Sequence, residues 1–181
     1  MSILSGFTFA GQLSAQVGIY LDTPTRELKP AVRTNEYIIP GRDGTLDYGG
    51  ETYEKISITV PIAYKSTKTE TLRDIARNLA MFFSKRGDLV FDDEPDKAYR
   101  DAKVVSAPTI TEIINIGSAT VVFEAQPFLQ SLDYHQQDAH GVLLPHSEQV
   151  VSNGTVETPC LIYITARSII SGLSITKIAE K

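Results

Sequence analysis

Ile56-Ser57-Ile58-Thr59-Val60 alternates apolar and polar residues, and the alternation continues through Ile62. A period of two places every second side chain on one face, so this stretch reads as a β-strand with one buried side. The β-branched residues that fill it suit a pleated, half-buried surface. Such a strand needs partners on both edges and a layer over its apolar face.

The rest of the chain offers those partners. Gly6-Phe7-Thr8-Phe9-Ala10-Gly11 alternates aromatic and small residues, and Val17 to Leu21 is a second short strand candidate. Asp22-Thr23-Pro24-Thr25 supplies turn residues. Arg26 to Thr34 carries Pro30 and mixed polarity, which predicts an edge strand or an extended arm. Asn35 to Ile39 is a further strand, ending at the turn Pro40-Gly41-Arg42-Asp43-Gly44. Tyr48-Gly49-Gly50-Glu51 is another turn. Leu89-Val90-Phe91 predicts a short strand before the acidic turn Asp92-Asp93-Glu94-Pro95-Asp96. Lys103 to Ile114 and Ser118 to Gln126 alternate again, with Asn115-Ile116-Gly117 as the short loop of a hairpin and Pro127 as its stop.

One helix covers this sheet. Thr67-Lys68-Thr69-Glu70 fits a capping box. Leu72, Ile75, Ala76, Leu79, Phe82 and Phe83 form one apolar face, with Arg73, Asp74, Arg77 and Asn78 opposite. Lys85 and Arg86 suit the negative end of the helix dipole, and Gly87 suits the C-cap. The fold class is therefore mainly β with one α-helix.

A chain of 181 residues holds one ordinary domain and a shorter second piece. With 42% hydrophobic residues it can build a core. Gln130 to His146 is polar and aperiodic and reads as a linker. Beyond it, Cys160 to Ala166 and Gly172 to Lys177 are strand-like, with a turn at Ser152-Asn153-Gly154.

The net charge of −5, without a local run of Lys and Arg, argues against nucleic-acid binding. Met1 to Phe9 lacks the pattern of a secretory leader, and no run of roughly twenty apolar residues predicts a membrane span. The lone Cys160 cannot form an internal disulfide and reads as a small apolar strand residue. The acidic turn 92–96 lacks EF-hand spacing. His135, His140 and His146 lie in the polar stretch without the helical spacing of a zinc protease. The Pro40–Gly44 turn lacks the Gly-Lys-Ser/Thr ending of a phosphate loop, and no nucleophile elbow is present. No catalytic, cofactor or metal site is assigned, which favours an interaction module over an enzyme.

Several segments together resemble the siphophage distal tail protein family. They are Gly6-Phe7-Thr8-Phe9-Ala10-Gly11, Ile39-Pro40-Gly41-Arg42-Asp43-Gly44, Leu89-Val90-Phe91-Asp92-Asp93-Glu94-Pro95 with Tyr99 and Ala102-Lys103, and Val121-Val122-Phe123 with Gln126-Pro127-Phe128. Their order and spacing agree from about Gly6 to Phe128. Val151-Ser152-Asn153-Gly154-Thr155 with Pro159 resembles the start of the family's second domain. The family often carries a Trp near the helix end, where this chain has Phe82 and Phe83.

The resemblance implies a β-sandwich-like first domain with a long hairpin over residues 1–129, a linker over 130–150, and the start of a truncated or reduced galectin-like domain over 151–181. It implies a homo-hexameric ring at the virion tail tip, assembled in the bacterial cytoplasm. The implied partners are the tail tube protein, a tail-tip hub or tail-associated lysin, and receptor-binding or baseplate proteins. Ring contacts are expected at Pro30, Arg42, Asp43, Ile114, Asn115 and Ile116, with open backbone edges around Pro30 and around Asn115. Two other readings compete. A carbohydrate-binding module would present Tyr48, Tyr53 or Tyr134, and a cell-wall hydrolase would need Asp92 or His140.

Overall fold

In a computed structural model, the residues described are 6–48, 52–65, 71–106, 108–113, 115–133, 136, 138, 154–156 and 161–165. Contacts divide the chain into two units, residues 1–135 and 136–181. In the second unit, residues 161–165 are irregular and expose Leu161, Ile162 and Tyr163. Cys160, Ala166 and the expected strand Gly172 to Lys177 lie outside the described residues, as do Tyr134 and all three histidines.

The first unit is β-rich, with one α-helix among the described residues. Its strands in chain order are β1 (Phe7–Phe9), β2 (Gln12–Leu13), β3 (Ile19–Leu21), β4 (Thr25–Arg26), β5 (Glu36–Ile38), β6 (Thr45–Asp47), β7 (Ile56–Lys65), β8 (Arg86–Phe91), β9 (Lys97–Val104), β10 (Thr111–Ile113), β11 (Ile116–Ala125) and β12 (Leu129–Ser131). Ten of them form one curled antiparallel sheet whose main path runs β2-β1-β8-β9-β11-β7-β3. Alongside this path β10 pairs with β11, β12 with β9, and β4 with β7. The remaining two, β5 and β6, form a separate hairpin.

The alternation read from residues 56–62 governs β7. Ile56, Ile58, Val60, Ile62 and Tyr64 are buried, and their neighbours are not. β7 and β11 pair over their full lengths, from Ile116↔Lys65 to Ala125↔Ile56. Val121 and Phe123 therefore bury on the same face as Val60 and Ile58. Pro61 sits inside β7, where a proline normally removes a ladder bond. Its carbonyl accepts from the Asp22 N–H at 3.1 Å, so its backbone polar groups face the β3 side. There the last β3 pair is Leu21↔Ile62 and β4 starts only at Thr25, so the missing N–H falls opposite Asp22, just beyond the end of β3.

The helix α1 spans Leu72–Phe83 and buries Ile75, Leu79, Phe82 and Phe83, the face its periodicity predicts. Its start differs from the expected cap. Thr67 to Glu70 lie outside the described residues, and Thr71 is the N-cap. The Thr71 hydroxyl accepts from the Asp74 N–H and donates to the Asp74 carboxylate at 2.7 Å. That hydrogen bond holds the Asp74 carboxyl below its ordinary range.

The helix end is also corrected. Ser84 is the C-cap, and Arg86 and Gly87 open β8. A Cβ on Gly87 would come within 2.9 Å of Ala10, so a close backbone approach explains this glycine. The short candidate at Val17 begins as a 3₁₀ turn, Ser14–Val17, before β3. Strand pairing also runs past Gln130, because β12 lies against the start of β9.

The β10–β11 register pairs Ile113 with Ile116, with Asn115 in the turn and Gly117 inside the strand. Gly117 faces Tyr64 across the β7 ladder, and a Cβ there would overlap the Tyr64 ring. Gly117→Ala should therefore destabilise the fold by about 1–3 kcal/mol, the usual range for overpacking. Urea melts check this. The penalty should shrink when Tyr64 is first changed to Leu, because the smaller side chain vacates the clash.

Candidate assembly interface

Two regions expose what a folded chain usually covers. The first is a double-stranded arm between β4 and β7. Val32 bridges to Tyr53, the Arg33 N–H bonds the Thr52 carbonyl at 2.8 Å, and the Glu54 N–H bonds the Ala31 carbonyl at 2.7 Å. Farther out, β5 and β6 pair from Glu36↔Asp47 to Ile38↔Thr45. At the tip the Arg42 N–H bonds the Ile39 carbonyl at 3.2 Å, and Gly41 has φ +84°. Proline followed by a residue of positive φ makes a type II turn, so Pro40-Gly41 fixes the tip.

The arm has little cover from its own chain. Ile38 is 81% exposed, Tyr48 70% and Tyr37 61%, and Leu28 near the root is fully exposed. Isolated two-stranded hairpins are marginal in water, and clustered exposed apolar residues mark interaction surfaces. The exposed Arg33–Glu54 ion pair, 2.8 Å, braces the two strands. Its hydrogen bond lowers the Glu54 carboxyl and raises the Arg33 guanidinium from their ordinary values.

The root of the arm is held by one arginine. Arg26 Nη2 donates to both carboxylate oxygens of Asp93 at 2.8 and 2.7 Å, and Nη1 reaches Glu94 at 3.4 Å. The guanidinium also lies 4.2 Å from the Phe91 ring centroid. Asp92 accepts from the Gly6 N–H at 2.7 Å. Three carboxylates of the acidic turn are thus engaged by the chain's own donors. Among the described residues no group of His, Cys, Asp and Glu is arranged to hold a metal ion.

The Arg26 hydrogen bond depresses the Asp93 carboxyl, against a smaller opposing effect of burial. A depressed acid contributes stability above its unfolded pKa, about 3.9, and loses it as pH falls through the folded value. Arg26→Ala should therefore cost about 1–2 kcal/mol at pH 7, combining a partly screened ion pair with the stacking on Phe91. The gap to wild type should narrow below about pH 4. Denaturant melts at pH 7 and pH 2.5 test this.

The second exposed region is the β10–β11 hairpin, where Asn115 and Ile116 are exposed. Ile116 pairs with Lys65 at the last residue of β7, whereas β4 joins β7 near its start, at Ile58 and Thr59. The expected contact residues therefore fall into two groups at opposite ends of β7. Arg42 and Asp43 are exposed at the arm tip, Asn115 and Ile116 are on the hairpin, and Ile114 lies outside the described residues. Pro30 is buried by its own chain, so exposure at the arm root passes to Leu28 and Lys29. Sequence reasoning missed Arg26. An acidic turn calls for a cation, but nothing local shows which one reaches it.

Two of the tyrosines proposed for sugar stacking, Tyr48 and Tyr53, are separately engaged. Tyr48 stands edge-on to Tyr37, with centroids 5.6 Å apart, and Tyr53 stands edge-on to Phe128 at 5.1 Å. Neither pair forms a flat platform.

Residues 13–125 match the phage tail protein RIFT-related domain family. The chain belongs to this family. It is a phage tail protein, and the siphophage distal tail resemblance read from its residues is supported at the level of family and fold. Among solved structures, the phage tail chain resembles the SPP1 Dit (gp 19.1) protein, described as a paradigm of the hub adsorption apparatus in phages infecting Gram-positive bacteria. The TM-score is 0.59 at 19% identity, over 71% of this chain and 53% of that one. The phage tail chain thus spans about half the length of SPP1 Dit, and the two share a fold. No curated protein matches it.

Proposed function

We propose that this phage tail protein is a non-catalytic ring subunit of the tail tip, joining the tail tube to host-recognition or baseplate proteins. The observation that carries this reading is the arm, which presents Tyr37, Ile38 and Tyr48 to solvent. Its counterpart is the exposed hairpin at the other end of β7. Contacts that join unlike surfaces of identical copies close into rings when the rotation fits. The outer edge of β10, which pairs only with β11 among the described residues, is open to strand addition.

Residues 1–129 supply the ring in this reading, 130–150 connect, and 151–181 begin an outward domain. The division of the chain near residue 135 supports that organisation. The hub role named for SPP1 Dit supports a position between tube and adsorption proteins. Native mass spectrometry and negative-stain microscopy test the proposal. Closed rings, six copies by family resemblance, are the expected species. A chain that stays monomeric at every concentration overturns it.

A further inference from the structure

We propose that the cleft between the 3₁₀ turn and α1 receives the β5–β6 arm of a second copy of this chain. The inference rests on the ring reading above and names the contact that would hold such a ring.

The cleft has a volume of about 400 Å³. Val17, Ile75 and Phe82 give it apolar walls, and Met81 stands beside them, 68% exposed. Lys65 and Lys85 also line it, and no acidic residue does among the described residues. Lys85 donates to Gln12 Oε1 at 2.8 Å, and neither lysine is ion-paired with a described carboxylate. On a chain of net charge −5, an apolar cleft whose described charged residues are both lysines differs from the average surface.

The arm carries the complementary chemistry. Between Asn35 and Tyr48 it holds Glu36, Asp43 and Asp47 against Arg42 alone, alongside the exposed Tyr37, Ile38 and Tyr48. Apolar side chains with flanking acids match an apolar cleft with flanking lysines. Position agrees as well. The arm leaves the sheet beside Ile58 and Thr59, and the cleft opens beside Lys65, roughly 20 Å farther along β7 at strand spacing. Arm into cleft is thus a head-to-tail contact that each copy can give and receive.

The test uses the full chain, with assembly followed by sedimentation and native mass spectrometry. Lys65→Glu with Lys85→Glu should raise the concentration needed for assembly at least tenfold, as should Glu36→Lys with Asp43→Lys. Mixing the two variants should restore assembly at their mutual contacts. All four positions are exposed, and circular dichroism confirms folding. A second measurement is independent of charge. In a Cys160→Ser background, Ile38→Cys on one copy should crosslink to Met81→Cys on another. Rings that survive both lysine reversals, or no crosslink within formed rings, overturn the arm–cleft contact and leave the ring reading standing. Loss of assembly that mixing does not restore overturns the arm as occupant. A wild-type chain that never assembles overturns both readings.

Discussion

Phe82→Ala should destabilise the protein by about 3–5 kcal/mol, the range for emptying a buried aromatic site. Phe82 is 2% exposed and is the point at which α1 grips the sheet. Its ring centroid lies 5.6 Å from Phe9, 6.3 Å from Phe7 and 5.0 Å from Phe83. Phe123 continues the cluster, 5.1 Å from Phe9 and 6.0 Å from Phe83. Edge-on aromatic contacts contribute beyond area burial, so truncation removes both packing and several oriented pairs. Small domains have about 5–15 kcal/mol in total, so this one change should remove a large share of the stability. The urea midpoint should fall strongly, and Phe82→Leu should recover much of the loss by refilling the volume. A loss below about 1 kcal/mol would mean that α1 does not dock through this residue.

Val121→Pro should be nearly as damaging, about 3 kcal/mol or more by analogy with prolines inside helices. The Val122 N–H bonds Ser106 Oγ at 2.9 Å, and its carbonyl accepts from the Val105 N–H at 3.0 Å, so Val122 faces the β9 side. Adjacent strand residues face opposite edges, so Val121 turns its N–H toward Val60 in β7. A proline there deletes a bond in the longest ladder of the sheet. Pro61 provides the internal contrast, since its missing N–H lies just beyond the end of β3 rather than within a ladder. Thermal melts separate the cases. Val121→Pro should lose most of the cooperative transition, whereas Val121→Ala should only lower its midpoint.

What the sequence made legible was periodicity. β7 and the apolar face of α1 follow from spacing alone, because burial of one face writes a period into the residues. What it hid was set by partners distant in sequence. Gly87 follows two basic residues at a helix end and reads as a cap, yet its reason is Ala10. Gly117 reads as loop, yet its reason is the Tyr64 ring. The helix start moved because Thr71 and Asp74 carry the same capping chemistry as Thr67 and Glu70, four residues on. For the interface, the turn at 40–44 was visible, but the exposure of Ile38 and Tyr48 was not, since alternation cannot distinguish a covered strand from an uncovered one. Pro30, expected at an open edge, is itself buried.

The strand order also dictates a schedule for the nascent chain. Residues 7–21 form β1, β2 and β3, which occupy opposite sides of the sheet, yet their partners β8 and β7 are translated later. At ordinary synthesis rates Phe7 and Phe9 wait on the order of ten seconds before Leu89 and Phe91 reach the growing end. β11 then has to slot between β9 and β7, which are separate until residues 116–125 emerge. A ribosome stalled before that point would hold two half-sheets with no strand to join them.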